Sequence, residues 1–221
     1  MFDGSRYTNI LQTTAYQKLP FGFYNRPDVL SIARELLGKI IVTKFNGELT
    51  AARIVETEAY AGITDKASHA YGGRRTARTE VMYHEAGVAY VYLCYGIHQL
   101  FNIVTNEVDT PHAILIRGAE PLTGVPVMLR RTGKKMADFT LTRGPGNVSK
   151  ALGITTGHTG ESLLEDEFHL VSDGFVPASA DIIATPRIGV DYAGADALLP
   201  YRFIVRGNKY VSGKSSENNL R

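Results

Sequence analysis

The residues with the clearest chemical potential lie in the run Ile54-Val55-Glu56-Thr57-Glu58-Ala59-Tyr60. In a strand, side chains alternate between faces, and same-face neighbours stand about 7 Å apart. Glu56, Glu58 and Tyr60 then share one face, and Val55, Thr57 and Ala59 the other. Carboxylates are costly to bury without partners, so this face is either wet or a site where carboxylates do acid–base work.

Other residues could join such a site. Tyr60, Tyr71, Tyr90, Tyr92 and Tyr95 form an aromatic group in sequence, with His69 among them. Taken singly, these tyrosines read as core and edge aromatics of a β-rich domain. Tyr95 stands just before Gly96, where the chain is expected to turn, and an exposed ring at a turn tip can serve as a wedge or stacking platform. Familiar phosphate loops, GxGxxG and GxxxxGK[ST], do not occur, nor do HExxH or GxSxG. The six histidines lack metal-ligand spacing, leaving a zinc site built from Glu58, His69 and His98 as a minor alternative. A single cysteine, Cys94, excludes an internal disulfide and a CxxC pair.

The elements that must hold these residues are legible in outline. Asp28 is placed to cap a helix closed by Gly38. Strands are expected over 39–45 and 49–60, joined by the hairpin signal Asn46-Gly47. Residues 61–76 read as a Gly- and Arg-bearing loop, followed by a short helix near 78–83. Further strands are expected over 89–93, 100–105, 113–119, 168–171, 181–184 and 201–205, with helices over 125–131 and 147–152. Strands outnumber helices and short turns join many of them. This favours a single α+β domain on a mostly antiparallel sheet with flanking helices.

Composition sets the remaining bounds. The chain has 221 residues, 44% hydrophobic and 21% charged, ordinary values for a globular protein. Net charge is +2, but the basic residues cluster at Lys66, Arg74, Arg75 and Arg78 and again at Arg130, Arg131, Lys134 and Lys135. Segregated charge suits either solvated loops or a phosphate-facing side. No signal-peptide pattern or membrane-spanning run is visible, so a cytoplasmic location is expected, nucleoid-associated if the source is bacterial. Residues 1–20 read as a loosely held arm, 21–212 as the domain, and 213–221 as a polar tail.

Together, Arg53 to Tyr60, the stretch His69 to Arg78, and Tyr90-Val91-Tyr92-Leu93-Cys94-Tyr95-Gly96 resemble the alkyladenine (3-methyladenine) DNA glycosylase family. Asn102, Leu115 to Leu122 and Arg202 to Gly207 extend the resemblance to about residues 21–212. It implies a mixed α/β fold with a curved antiparallel sheet. It also implies a monofunctional hydrolase that flips a damaged purine out of duplex DNA and cleaves its N-glycosidic bond. Glu58 matches the catalytic glutamate, which activates a water. Arg117 matches a residue near that water and the DNA backbone, and Ile188 one whose main-chain carbonyl helps to hold the water. Tyr60, His69 and Tyr92 match the residues that sandwich the flipped base. Asn102 matches one that excludes normal guanine, and Tyr95 matches the intercalating tyrosine. Arg74, Arg75, Arg78 and Lys150 are candidate contacts to the DNA backbone, and Glu56 is expected to be structural. The expected partner is double-stranded DNA carrying damaged purines, bound by a monomer with no cofactor and no metal. His98 and Ile97 depart from the mammalian relative around the wedge, leaving the range over 3-methyladenine, 7-methylguanine, hypoxanthine and ethenoadenine open. A non-catalytic reader of damaged DNA and a metal-dependent hydrolase of small molecules are the competing readings.

Overall fold

A computed structural model describes residues 16–213. The tail expected over 213–221, from residue 214 on, and the arm up to residue 15 lie outside the described residues. Among the described residues, nine strands form one sheet in which every pairing is antiparallel, and helices flank it, an α+β architecture.

The sheet begins with β1 (Gln17–Lys18), which pairs with β7 (Phe168–Ser172). Leu19 follows it into the core, so the last residues of the expected loose arm are tied to the sheet. After α1 (Phe21–Tyr24) comes α2 (Val29–Glu35), whose first turn is capped by Asp28 through the amides of Leu30 and Ser31. The strands β2 (Ile40–Phe45) and β3 (Glu48–Tyr60) are joined by Asn46-Gly47, both at positive φ, as a two-residue hairpin requires. The remaining strands are β4 (Ala89–Cys94), β5 (His98–Thr105), β6 (His112–Thr123), β8 (Ile182–Thr185) and β9 (Arg202–Val205). Strand β6 runs past the expected end at residue 119, with Pro121 paired to Ala52 beside a register shift.

Strand β3 organises everything else. One edge pairs with β6 along most of its length, while the other pairs with β2 over Glu48 to Arg53 and then with β9 over Glu56 to Glu58. The change of partner coincides with register shifts on either side of Glu56. This irregularity corrects the simple alternation. Ile54 and Ala59 pack in the main core, and the Thr57 hydroxyl donates to the Ala33 carbonyl of α2. Val55, expected beside Thr57, joins a separate cluster with Ile183, Ile204, Tyr210 and Val211. An inserted residue in one strand shifts the alternation locally, and here it turns Val55 away from the helices.

Helices α2, α3 (Val125–Thr132) and α4 (Pro145–Leu152) cover the Thr57 face of the sheet. Between them lie Ile32, Leu36, Phe101, Ile116, Leu152 and Phe168, all essentially inaccessible. The opposite face of β3 and β6 carries Glu56, Glu58 and Arg117. Tyr60 follows at the end of β3.

Candidate active site

The glutamate face is dry. Glu56 and Glu58 are both 0% exposed, Arg202 is 1% and Arg117 8%. Two buried carboxylates are tolerable here because two buried guanidiniums face them. The two glutamates nevertheless sit in different surroundings. Glu56 Oε1 accepts from Arg202 Nε at 2.7 Å, Ser212 Oγ at 2.9 Å and Arg117 Nε at 3.3 Å. Its Oε2 accepts from the Ser212 amide at 2.6 Å. Glu56 is thus the anchor of the C-terminal segment, paired both to arginines and to a backbone amide. Opposite it in the sheet stands Gly118, where a Cβ would come within 2.6 Å of the Tyr210 carbonyl and 3.0 Å of Glu56 Oε2.

Glu58 is turned towards a cavity. Its Oε1 accepts from the Ile188 amide at 2.8 Å and lies 3.3 Å from Arg117 Nε. Its Oε2 accepts from the Tyr60 hydroxyl at 2.8 Å and from Arg117 Nη1 at 3.4 Å. Burial, and next the Glu58 anion, push the Tyr60 phenol well above the usual range, so it stays a donor. Tyr60, Arg117 and Ile188 all line the adjoining cavity, and Glu58 lies directly behind them. The contribution of Ile188 here is its amide to Glu58.

The cavity has a volume of about 380 Å³. Tyr60, His69, Tyr92 and Asn102, drawn from three strands and a loop, all line it. His69 sits edge-on to Tyr92, with ring centroids 4.7 Å apart at 78°. Its Nδ1 lies 2.8 Å from the Tyr90 hydroxyl, and Arg78 donates to its Nε2 at 3.4 Å. A guanidinium can only donate, so Nε2 is the acceptor and Nδ1 carries the hydrogen. Burial, with Arg78 and Arg74 nearby, pushes the imidazole down to about 4, leaving it neutral at pH 7. Asn102 donates both amide hydrogens to main-chain carbonyls, of Tyr90 at 3.1 Å and Leu100 at 3.2 Å. Its Oδ1 is left as the acceptor it can offer to the cavity.

At the lip, the β4–β5 turn lifts Tyr95 (90% exposed) and Ile97 (73% exposed) into solvent. Tyr95 is held at φ 50°, a left-handed conformation uncommon for a residue with a Cβ. Tyr71 of the aromatic group does not line the cavity, whereas the buried Tyr90 does, with its hydroxyl against His69. The basic candidates separate. Arg74 and Lys150 are exposed, Arg75 is engaged by Glu80 and Asp109, and Arg78 lies over the Tyr92 ring at 4.9 Å. No cluster of three or more His, Cys, Asp or Glu residues suited to a metal ion occurs among the described residues.

Beyond Ile188, several contributors were not legible in sequence. The 188–192 segment forms one cavity wall, and it is fastened to the loop after β3 by Arg187 on Asp65 at 2.5 and 2.8 Å. The Tyr192 hydroxyl adds a second tie to the Ala67 carbonyl at 2.9 Å. Arg187 also lies 4.9 Å from the Tyr60 ring centroid. Residues 144–147, at the start of α4, also line the cavity. Only the folded chain brings these segments together, and no local pattern marks them.

Comparison with known proteins gives a consistent picture. Residues 22–209 match the family described as Methylpurine-DNA glycosylase. A protein of Desulfitobacterium hafniense (strain Y51) is 44% identical over 199 residues, covering 87% of this chain and 97% of that protein. One of Bacillus licheniformis is 45% identical over 199 residues, covering 90% and 98%. One of Myxococcus xanthus (strain DK1622) is 47% identical over 194 residues, covering 88% and 93%. All three carry the provisional name 3-methyladenine DNA glycosylase.

Proposed function

This chain belongs to the methylpurine-DNA glycosylase family, and from that premise we propose that residues 21–212 form a monofunctional glycosylase of base excision repair. Its substrates are alkylated or deaminated purines of the 3-methyladenine, 7-methylguanine, hypoxanthine and ethenoadenine class in double-stranded DNA. The observation that carries the reading is the fully buried Glu58 set directly behind the wall of an aromatic cavity whose lip bears the exposed Tyr95.

A stacked base shields its sugar carbon, so the nucleotide must leave the duplex at a cost of a few kcal/mol. Tyr95 enters the gap, and stacking there offsets about 1–3 kcal/mol. The base enters between Tyr60, His69 and Tyr92. A cationic alkylated purine is drawn to the aromatic faces, and a neutral His69 adds no repulsion. Asn102 presses against the position of a guanine exocyclic amine, excluding the normal base. Water then attacks C1′, its proton passes to Glu58, and the electron pair of the glycosidic bond leaves with the base. Arg117 balances the Glu58 charge and steadies the backbone near the water. Arg74 and Lys150 are suited to phosphate contacts, so affinity falls as salt rises. The protein acts as a monomer without a cofactor, in the cytoplasm with the nucleoid if its source is bacterial.

The direct test is release of free bases from duplexes carrying each lesion. Wild type releases base, and Glu58→Gln does not while still binding DNA with an abasic-site analogue. Release by Glu58→Gln at the wild-type rate removes Glu58 from this role, and no release by wild type favours a non-catalytic reader. No lysine among the described residues lines the cavity, so no Schiff base forms and borohydride trapping yields no covalent complex.

A further inference from the structure

We propose that the Tyr60 hydroxyl is a positioning group for the reaction, separate from the stacking role of its ring: by donating to Glu58 Oε2 it holds that carboxylate in the orientation in which it meets the water. The proposal deepens the glycosylase reading and rests on it.

A platform for a base needs only an aromatic ring, and phenylalanine would supply one. The Tyr60 ring lines the cavity, but its hydroxyl is directed at Glu58, 2.8 Å away. Glu58 needs such a donor. It is fully buried, and a carboxylate oxygen away from water is costly unless a donor faces it. A carboxylate has about four acceptor positions. Two are filled at short range, by the Ile188 amide at 2.8 Å and by the Tyr60 hydroxyl at 2.8 Å. Arg117 adds charge, but its nitrogens stand at 3.3 and 3.4 Å, and it shares itself with Glu56. The two short donors act on opposite oxygens, so together they fix the plane of the carboxylate.

The charged and titratable surroundings are shared among several elements. Glu56 and Tyr60 stand on β3 itself, Arg117 on β6, and Arg202, held to Glu56, on β9. Tyr92 and Tyr192 on the cavity wall, and Arg187 beside the Tyr60 ring, also feel the Glu58 charge, with Asp65 paired to Arg187. Among these groups Tyr60 alone combines a short hydrogen bond to Glu58 with a face on the base cavity. The Tyr60 phenol is pushed up rather than down, so it remains a donor throughout the working range.

The experiment is single-turnover base release at saturating enzyme, with affinity for abasic-analogue DNA measured in parallel. It compares wild type, Tyr60→Phe, a fluorinated tyrosine at position 60, and Glu58→Gln. Tyr60→Phe keeps the ring and removes the donor, so the single-turnover rate falls about tenfold while affinity stays at the wild-type value. The fluorinated tyrosine keeps the donor and holds the rate near that of wild type. A general loss of packing would lower rate and affinity together. A Tyr60→Phe rate equal to the wild type overturns the proposal, even with wild type active and Glu58→Gln inactive. Absence of base release by wild type, or release by Glu58→Gln at the wild-type rate, instead overturns the glycosylase reading underneath.

Discussion

The two glutamates of β3 should fail in opposite ways when each is replaced by glutamine. Every short contact of Glu56 except that with the Ser212 hydroxyl comes from a group that can only donate: Arg202 Nε, Arg117 Nε and the Ser212 amide. A glutamine amide at position 56 must aim its NH₂ either at the two guanidiniums or at the Ser212 amide, a donor against a donor in both cases. Arg202, 1% exposed, also loses its carboxylate partner. Breaking one side of a buried ion pair costs about 3–5 kcal/mol. Against a typical total of about 5–15 kcal/mol this is a large share, and it lowers Tm by roughly 10 °C in a domain of this size. Glu58→Gln differs because its partners can adapt. The amide oxygen keeps the Ile188 hydrogen bond, and the NH₂ can donate to a Tyr60 hydroxyl that turns round. The long Arg117 contacts are the main loss, about 1 kcal/mol. Thermal melts and urea unfolding of the three proteins, alongside base release, test this. Glu56→Gln should melt far below wild type, while Glu58→Gln melts near it and is inactive. A Glu56→Gln melting point within about 2 °C of wild type, or equal losses in both variants, would refute the assignment of Glu56 to structure and Glu58 to chemistry.

Two further outcomes follow from the same geometry. His69 is pushed down from the usual 6.5 to about 4, so between those values the unfolded chain binds more protons than the folded one. Stability therefore falls as pH drops through that window and levels off below it, and His69→Gln should remove about 2–3 kcal/mol of the loss, read by urea unfolding at pH 7 and 4. Tyr95 is 90% exposed, so Tyr95→Ala should leave Tm unchanged but slow base release from duplex DNA by about 10- to 100-fold, with a smaller effect on single-stranded substrate; equal effects on both would contradict a wedge role.

Much of this molecule could be read from local pattern. Asp28 capped the expected helix, Asn46-Gly47 turned the expected hairpin, and the period of two located β3 with Glu58 and Tyr60 on one side. Those features depend on neighbours a few residues away, and sequence reports them directly. What sequence left open was whether the glutamate face is wet or dry. That depended on Arg202 and Ser212, 146 and 156 positions beyond Glu56, and on Ile188, 130 positions beyond Glu58. The irregularity that turned Val55 out of line was hidden for the same reason, since it arises where β3 exchanges β2 for β9. The spacing of Glu56, Glu58 and Tyr60 belonged to the sequence alone. The division of the glutamates into an anchor and a cavity-side carboxylate belonged to the tertiary structure, because long-range pairing brings Arg202 and Ser212 to Glu56 and the Ile188 amide to Glu58.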